Sequence, residues 1–224
     1  MLSADRGRML LAVVRRLCLL AMVTPLAGYG LSATSPGAAA RTGTAPSAVC
    51  GPGPAHTLAS DAVARVYSSA GNAYGCVAGG ARSYKLGTTG FCIGAERIQT
   101  VRVAGRLAAY GLQMCGVDTG NATVNVRSLA TGASLAQRPA TTKIGVEGFQ
   151  SIDSLVVKAD GAVAWIATAN SIGKPTFVRQ LQRLDTRGFA VLDSGRDVNA
   201  ASLRLHGSRL SWKHATAART ATLR

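Results

Sequence analysis

Leu203-Arg204-Leu205-His206-Gly207-Ser208-Arg209-Leu210-Ser211-Trp212 is the stretch that decides the fold. Leu203 and Leu205 fall on one side of an extended chain, with Arg204 and His206 on the other. After Gly207-Ser208, Leu210 and Trp212 return to the apolar side, opposite Ser211 and Lys213. Period two on both sides of a two-residue turn predicts a half-buried β-hairpin and excludes a helix here. Gly207-Ser208 suits a type II′ turn, because the first turn residue needs a positive φ that glycine adopts without steric cost.

Two earlier stretches have the same form: Val101-Arg102-Val103-Ala104-Gly105-Arg106-Leu107-Ala108-Ala109-Tyr110, and Val156-Val157-Lys158-Ala159-Asp160-Gly161-Ala162-Val163-Ala164-Trp165. In the second, Asp160-Gly161 is predicted as a type I′ turn pair. A motif recurring at about 50 residues points to propellers, solenoids or arrays. Each hairpin is followed by a third strand, at 122–129, 177–184 and 219–223, and the first two by a short fourth, at 133–136 and 189–192. The N-terminal part adds strands at 61–69, 73–77 and 84–86. The expectation is an all-β domain: a small or partial β-propeller of about four antiparallel four-stranded blades, with an N-terminal strand completing the C-terminal blade so that no edge is left open. Tyr74, Tyr110, Trp165 and Trp212 are read as packing between sheets, each ring burying on the order of 150 to 250 Å².

The ends give the address. Arg6, Arg8, Arg15 and Arg16 precede an apolar run from Leu17 to Ala33 and the small residues Ala38-Ala39-Ala40, so residues 1–40 are expected to be a signal peptide. Residues 41–56, rich in Ala, Gly and Pro, have too little apolar bulk to offset ordering and read as a flexible leader. Residues 57–224 then form one domain. A secreted, extracellular or cell-wall-associated monomer with no membrane span after signal removal is expected.

Beyond residue 40 the chain keeps 21 of its 25 basic and 9 of its 10 acidic side chains, an excess of +12. That surplus admits polyanions such as teichoic acids as partners. Specific nucleic-acid binding is not expected, because the arginines are scattered and no stacking aromatics interleave with them. Four cysteines remain after export: Cys50, Cys76, Cys92 and Cys115. They allow three disulfide connectivities. A hairpin centred on Gly105 faces residues whose numbers sum to about 210, and Cys92 with Cys115 gives 207, so that pair is preferred, leaving Cys50 with Cys76. No close C-x-x-C pair suggests a metal site.

Asp197 to Trp212, ending in Arg219-Thr220-Ala221-Thr222-Leu223, together with Tyr74-Gly75-Cys76 and Arg102 to Tyr110, resembles exported, uncharacterised propeller-like proteins of GC-rich Gram-positive bacteria, and more distantly TolB-like propellers. The likeness covers most of 57–224. It implies a propeller fold and export, and brings no catalytic residues.

Chemistry is sparse in this sequence. His56, His206 and His214 are the three histidines, and no Gly-x-Ser-x-Gly elbow accompanies Ser208 or Ser211. No alternating Asp/Asn calcium loop and no phosphate-cradling glycine loop occur, so no cofactor or metal is expected. The leading expectation is a non-catalytic binding or scaffold module. Its contact surface would be loops 113–122, 138–150 and 168–176, with Arg138, Lys143 and Lys174 supplying positive charge for an anionic cell-envelope polymer or a protein partner. The alternative is a carboxylate-based glycoside hydrolase or lyase using Glu147 with Asp153, or Glu96.

Overall fold

A computed structural model describes residues 50–51, 55–92, 94–142, 148–173 and 176–224. The segment 1–40 therefore lies outside the described residues, as does the 41–56 leader apart from Cys50, Gly51, Ala55 and His56. The described residues form fifteen strands and no helix. The strands fall into three antiparallel meanders of four and a final meander of three. The first comprises β1 (His56–Ser60), β2 (Ala64–Ser69), β3 (Asn72–Val77) and β4 (Ser83–Thr88). The second is β5 (Glu96–Ala104), β6 (Leu107–Cys115), β7 (Gly120–Ser128) and β8 (Ser134–Pro139). The third is β9 (Gly148–Val157), β10 (Val163–Ser171), β11 (Phe177–Asp185) and β12 (Gly188–Gly195). The last is β13 (Arg204–His206), β14 (Arg209–His214) and β15 (Ala217–Thr222).

Hydrogen bonding between meanders overturns the expected propeller of separate four-stranded blades. Thr88 pairs in parallel with Arg97, and Gly120 in parallel with Phe149, so the first three meanders merge into one twelve-stranded mixed sheet. That sheet is not closed, since β1 pairs only with β2 at one edge and β12 ends the other. The expected completion of the C-terminal blade by an N-terminal strand is also absent, because β13, β14 and β15 form a sheet of their own. Alternation along a strand states which face it buries but not which neighbour its edge accepts. At one joint the absence of a side chain decides: a Cβ on Gly120 would stand 2.7 Å from the Phe149 ring.

The hairpins form in the register their alternation predicts. Val101 faces Tyr110 and Ala104 faces Leu107 around Gly105-Arg106, while His206 faces Arg209 around Gly207-Ser208. Gly207 has φ +58° and Ser208 has no positive φ, as a type II′ turn requires. The Asp160-Gly161 turn differs from its prediction. Val157 faces Val163, so five residues make the connection, with Gly161 N–H donating to Lys158 O at 3.0 Å. Only Gly161, at φ +93°, is left-handed, and a type I′ pair would need positive φ at Asp160 as well.

Successive meanders pack across three apolar cores. Tyr110 joins Val66, Leu86, Ile98, Val101 and Leu129 between the first and second meanders. Trp165 joins Val124, Val126, Ile152 and Leu155 between the second and third. Trp212 joins Ile166, Leu181, Val198, Leu210 and Leu223 between the third meander and the final sheet. All three rings sit on the second strand of a hairpin and are buried. The disulfides are Cys50–Cys76 and Cys92–Cys115, with Cα separations of 5.7 and 5.3 Å. Disulfide chemistry of this kind fits an oxidising compartment. Among the described residues no helix is long and apolar enough to cross a membrane.

Candidate functional site

The turns at Gly105 and Gly161 share one end of the strands, where a Cβ on Gly105 would lie 3.5 Å from Ala159. The loops predicted to carry contacts lie at the opposite end. There, Asn121, Thr142, Phe149, Gln150, Asn170, Ser171, Thr176 and Phe177 line a cleft of about 430 Å³, to which all three of those loops contribute.

Buried amides hold this cleft open from below. Gln150 is buried, its side-chain oxygen accepting from Ala122 N–H at 3.3 Å and its backbone oxygen from the Gln113 side-chain amide at 2.8 Å. The Gln180 side-chain oxygen accepts from Thr142 N–H at 2.8 Å and from the Gln182 amide at 3.0 Å, and Gln182 also donates to Ala140 O at 2.9 Å. Trp165 Nε1–H donates to that same carbonyl at 2.9 Å. A buried amide costs stability unless its groups are bonded; these two glutamine pairs brace the cleft wall, with the Gln182 side-chain oxygen buried without a partner among the described residues. Above it, the Asn170 side-chain oxygen Oδ1 accepts from Phe149 N–H at 3.0 Å. The guanidinium carbons of Arg179 and Arg196 lie 4.7 and 5.4 Å from the Phe177 ring centre, a cation–π arrangement. The cleft thus offers amides, hydroxyls and aromatic faces; the described lining contains no carboxylate, imidazole or thiol.

Of the three predicted ligand-contacting cations, Arg138 is exposed on β8 opposite Val124, while Lys143 and Lys174 lie outside the described residues. Glu147 also lies outside them. Glu96 begins β5 and is exposed, whereas Asp153 is in mid β9, and Asp153 borders two clefts that Glu96 does not. Asp153 accepts from Ser151 at 3.0 Å and Thr168 at 2.5 Å, with Arg179 Nε at 4.0 Å. His56 and His206 are exposed. His214 is bound to Asp193 at 2.9 Å. No group of His, Cys, Asp and Glu among the described residues could hold a metal ion.

Five of the described carboxylates accept bonds from the protein itself, while Glu96, Asp118 and Asp197 are exposed and accept none. Asp61 accepts from the backbone N–H of Val63, Ala64 and Gly105 at 2.8, 2.9 and 2.7 Å. Asp185 is enclosed by Arg183, Arg187 and the Arg224 N–H; burial raises its pKa, but those donated bonds prevail and hold the carboxyl well below the usual range. Asp193 behaves likewise: burial opposes its charge, and the bonds from Trp212 and His214 with the nearby Arg219 charge lower its pKa overall. Asp160 is lowered first by its hydrogen bond from Lys158, at 2.7 Å. By contrast Arg82, Arg106, Arg138 and Arg209 are exposed, and no described side chain or carbonyl accepts from them. The sequence signalled the surplus of arginine but not which charged side chains find partners, because that depends on contacts between distant strands.

Neither a protein-family model nor a curated protein matches this chain.

Proposed function

We propose that this protein is an exported, non-catalytic binding module for an anionic cell-envelope polymer. The observation that carries this reading is the set of exposed arginines without described partners, within a surplus of +12 beyond residue 40. Asp61, Asp153, Asp160, Asp185 and Asp193 are occupied by internal donors, whereas Arg82, Arg106, Arg138 and Arg209 face solvent without described partners. An uncompensated guanidinium is a donor set suited to phosphate or carboxylate groups. The two disulfides and the basic, apolar-cored start of the chain support export.

The test is retention of the protein on immobilised poly(glycerol phosphate), heparin and neutral dextran across a salt gradient. The expected result is no retention on dextran, later elution from poly(glycerol phosphate) than from heparin, and earlier elution of R82E/R106E. Equal elution from both polyanions at modest salt reduces the interaction to non-specific charge.

A protein partner is the second reading, favoured by one observation. Phe91 and Val117 are 85 % and 87 % exposed, and with Met114, Phe149 and Ile172 they belong to loops and strand ends on the cleft side. Exposed apolar side chains gathered at one end mark contact surfaces. Capture of one stoichiometric partner by wild type and its loss in F91S/V117S would favour this reading over the polymer.

A further inference from the structure

The innermost strands of the second and third meanders each carry a β-bulge at the same level. On β5, Gln99 and Thr100 together face the single residue Gly111, since Ile98 pairs with Leu112 and Val101 with Tyr110. On β9, Asp153 is the extra residue, because Ile152 pairs with Ala167 and Ser154 with Ile166. The bulges are stapled together: the Gln99 side-chain oxygen accepts from Ile152 N–H at 2.8 Å and Thr100 Oγ1 donates to Ile152 O at 3.2 Å. A bulge disrupts the ladder and re-aims a side chain, and bulges are enriched beside functional sites.

Here they re-aim Asp153 into a groove. Arg102, Asp153, Ser154, Ala201, Leu203 and Arg204 line a cavity of about 630 Å³ between β5, β9 and the segment entering β13. A neighbouring cavity of about 400 Å³, reaching Leu58 and Gln99, shares Arg102 and Asp153 with it. Arg102 and Arg204 stand three residues before the turn glycines Gly105 and Gly207. Each is braced in the same manner, Nη1 donating at 2.8 Å to the carbonyl of its own preceding residue, and Arg204 also to Ala201 O. Both arginines are exposed and have no carboxylate partner, leaving donors on each fork for a ligand.

Two guanidiniums from different strands can take different oxygens of one tetrahedral anion. The Asp153 carboxylate in the same groove repels a bare polyanion but accepts from a hydroxyl beside the anionic group. We propose that the groove between β5, β9 and the start of β13 binds a phosphorylated polyol, with Arg102 and Arg204 on the phosphoryl group and Asp153 on an adjacent hydroxyl. This deepens the polymer-binding reading and rests on it for the natural source, which is either a repeat unit of a polyol phosphate chain or the free monomer.

Calorimetric titration of the full-length protein with sn-glycerol 3-phosphate, inorganic phosphate, glucuronate and glycerol tests this. The expected order is glycerol phosphate tightest, phosphate and glucuronate weaker, glycerol silent. R102Q and R204Q each weaken glycerol phosphate about tenfold or more, as loss of a charged hydrogen bond implies. D153N, which keeps one of the two acceptor oxygens used by Ser151 and Thr168, weakens glycerol phosphate but not inorganic phosphate. Thermal melts of R102Q and R204Q unchanged from wild type confirm that folding is intact. Unaltered affinity in R102Q/R204Q, or glucuronate bound as tightly as glycerol phosphate, overturns the proposal. A poly(glycerol phosphate) hexamer run in parallel separates the sources: binding by both oligomer and monomer points to the polymer, binding by the monomer alone to a free polyol phosphate. The broader reading fails separately. If wild type binds glycerol phosphate but ignores the long polymer, the groove stands and the polymer reading falls; if wild type holds the polymer and R102Q/R204Q holds it equally, the groove falls and the reading stands.

Discussion

Asp193→Ala is expected to be among the most damaging single substitutions of a polar side chain in this fold. Asp193 belongs to β12 of the large sheet, yet its carboxylate accepts from Trp212 Nε1–H at 2.6 Å, His214 Nδ1 at 2.9 Å and Arg219 Nη1 at 2.9 Å, all on β14 and β15 of the small sheet. One side chain therefore fastens the two sheets through their shared core. Truncation leaves the buried Trp212 N–H without an acceptor, the His214 ring nitrogen without its partner and Arg219 without a counter-charge. Hydrogen bonds to charged groups contribute about 1.5–3 kcal/mol each, but Arg219 is half exposed and its share is screened. The sum is about 3–5 kcal/mol, the usual cost of breaking a buried pair, or a fall in melting temperature of about 10 °C for a domain of this size. Asp193→Asn keeps an acceptor and loses the charge, so about half that loss is expected. The acid dependence follows from the lowered pKa of Asp193. A carboxylate depressed in the folded state contributes fully above its unfolded pKa of about 4 and loses that contribution as pH falls through the folded value. The gap between wild type and D193N should therefore be full at pH 7 and narrow below about pH 4. Urea melts followed by tryptophan fluorescence measure it, with Trp212 reporting the joint itself. A D193A variant within about 0.5 kcal/mol of wild type, the range of a neutral surface change, refutes the fastening role.

Gly111→Val should destabilise by about 1–3 kcal/mol through overpacking, because a Cβ there would stand 2.8 Å from Ile152 Cδ1 and 3.1 Å from Ile152 Cβ; thermal melts check it, and the bulge facing Gly111 should lose hydrogen-exchange protection in Gln99 and Ile152. Cys92→Ser with Cys115→Ser opens a loop closed across a sequence separation of 23 residues, and a loss of about 3 kcal/mol is expected from unfolded-state entropy, read as a lower urea midpoint than wild type without reductant, with Cys50–Cys76 intact in both. Trp165→Ala should cost about 3–5 kcal/mol, since the ring is fully buried and its N–H is bonded to Ala140 O.

Most strands were legible in the sequence because each hairpin states its own register. Leu203, Leu205, Leu210 and Trp212 alternate strictly, and the pairing of His206 with Arg209 follows from the glycine turn between them. The Cys92–Cys115 pair followed from the same arithmetic only approximately, since the β5–β6 register pairs Glu96 with Met114 and a turn, with Ala95 N–H on Cys92 O, carries Cys92 back to Cys115; Cys50–Cys76 followed by elimination. What the sequence left open was how meanders join. Thr88–Arg97 and Gly120–Phe149 are single backbone pairs that need no side-chain pattern, so the merged, open sheet could not be foreseen. The Asp160-Gly161 turn was misplaced because the dipeptide suits two turn types, and buried Ala162 extends the loop instead of the strand. The groove around Asp153 did leave a trace. Ile98-Gln99-Thr100-Val101 and Ile152-Asp153-Ser154-Leu155 both place two polar residues between apolar ones, an interruption of period two that marks a bulge on each inner strand. Which carboxylates are held by internal donors had no comparable trace, because those bonds arise between strands as far apart as Asp61 and Gly105 or Asp185 and Arg224.

The polymer-binding reading meets its most direct test in a titration of the protein with poly(glycerol phosphate) at 50, 150 and 500 mM NaCl beside a dextran control, about a threefold range of Debye length. The reading predicts saturable binding that weakens steadily with salt, is shifted further by R82E/R106E, and is absent with dextran. No heat of binding at the lowest salt, or equal affinity for dextran, contradicts it.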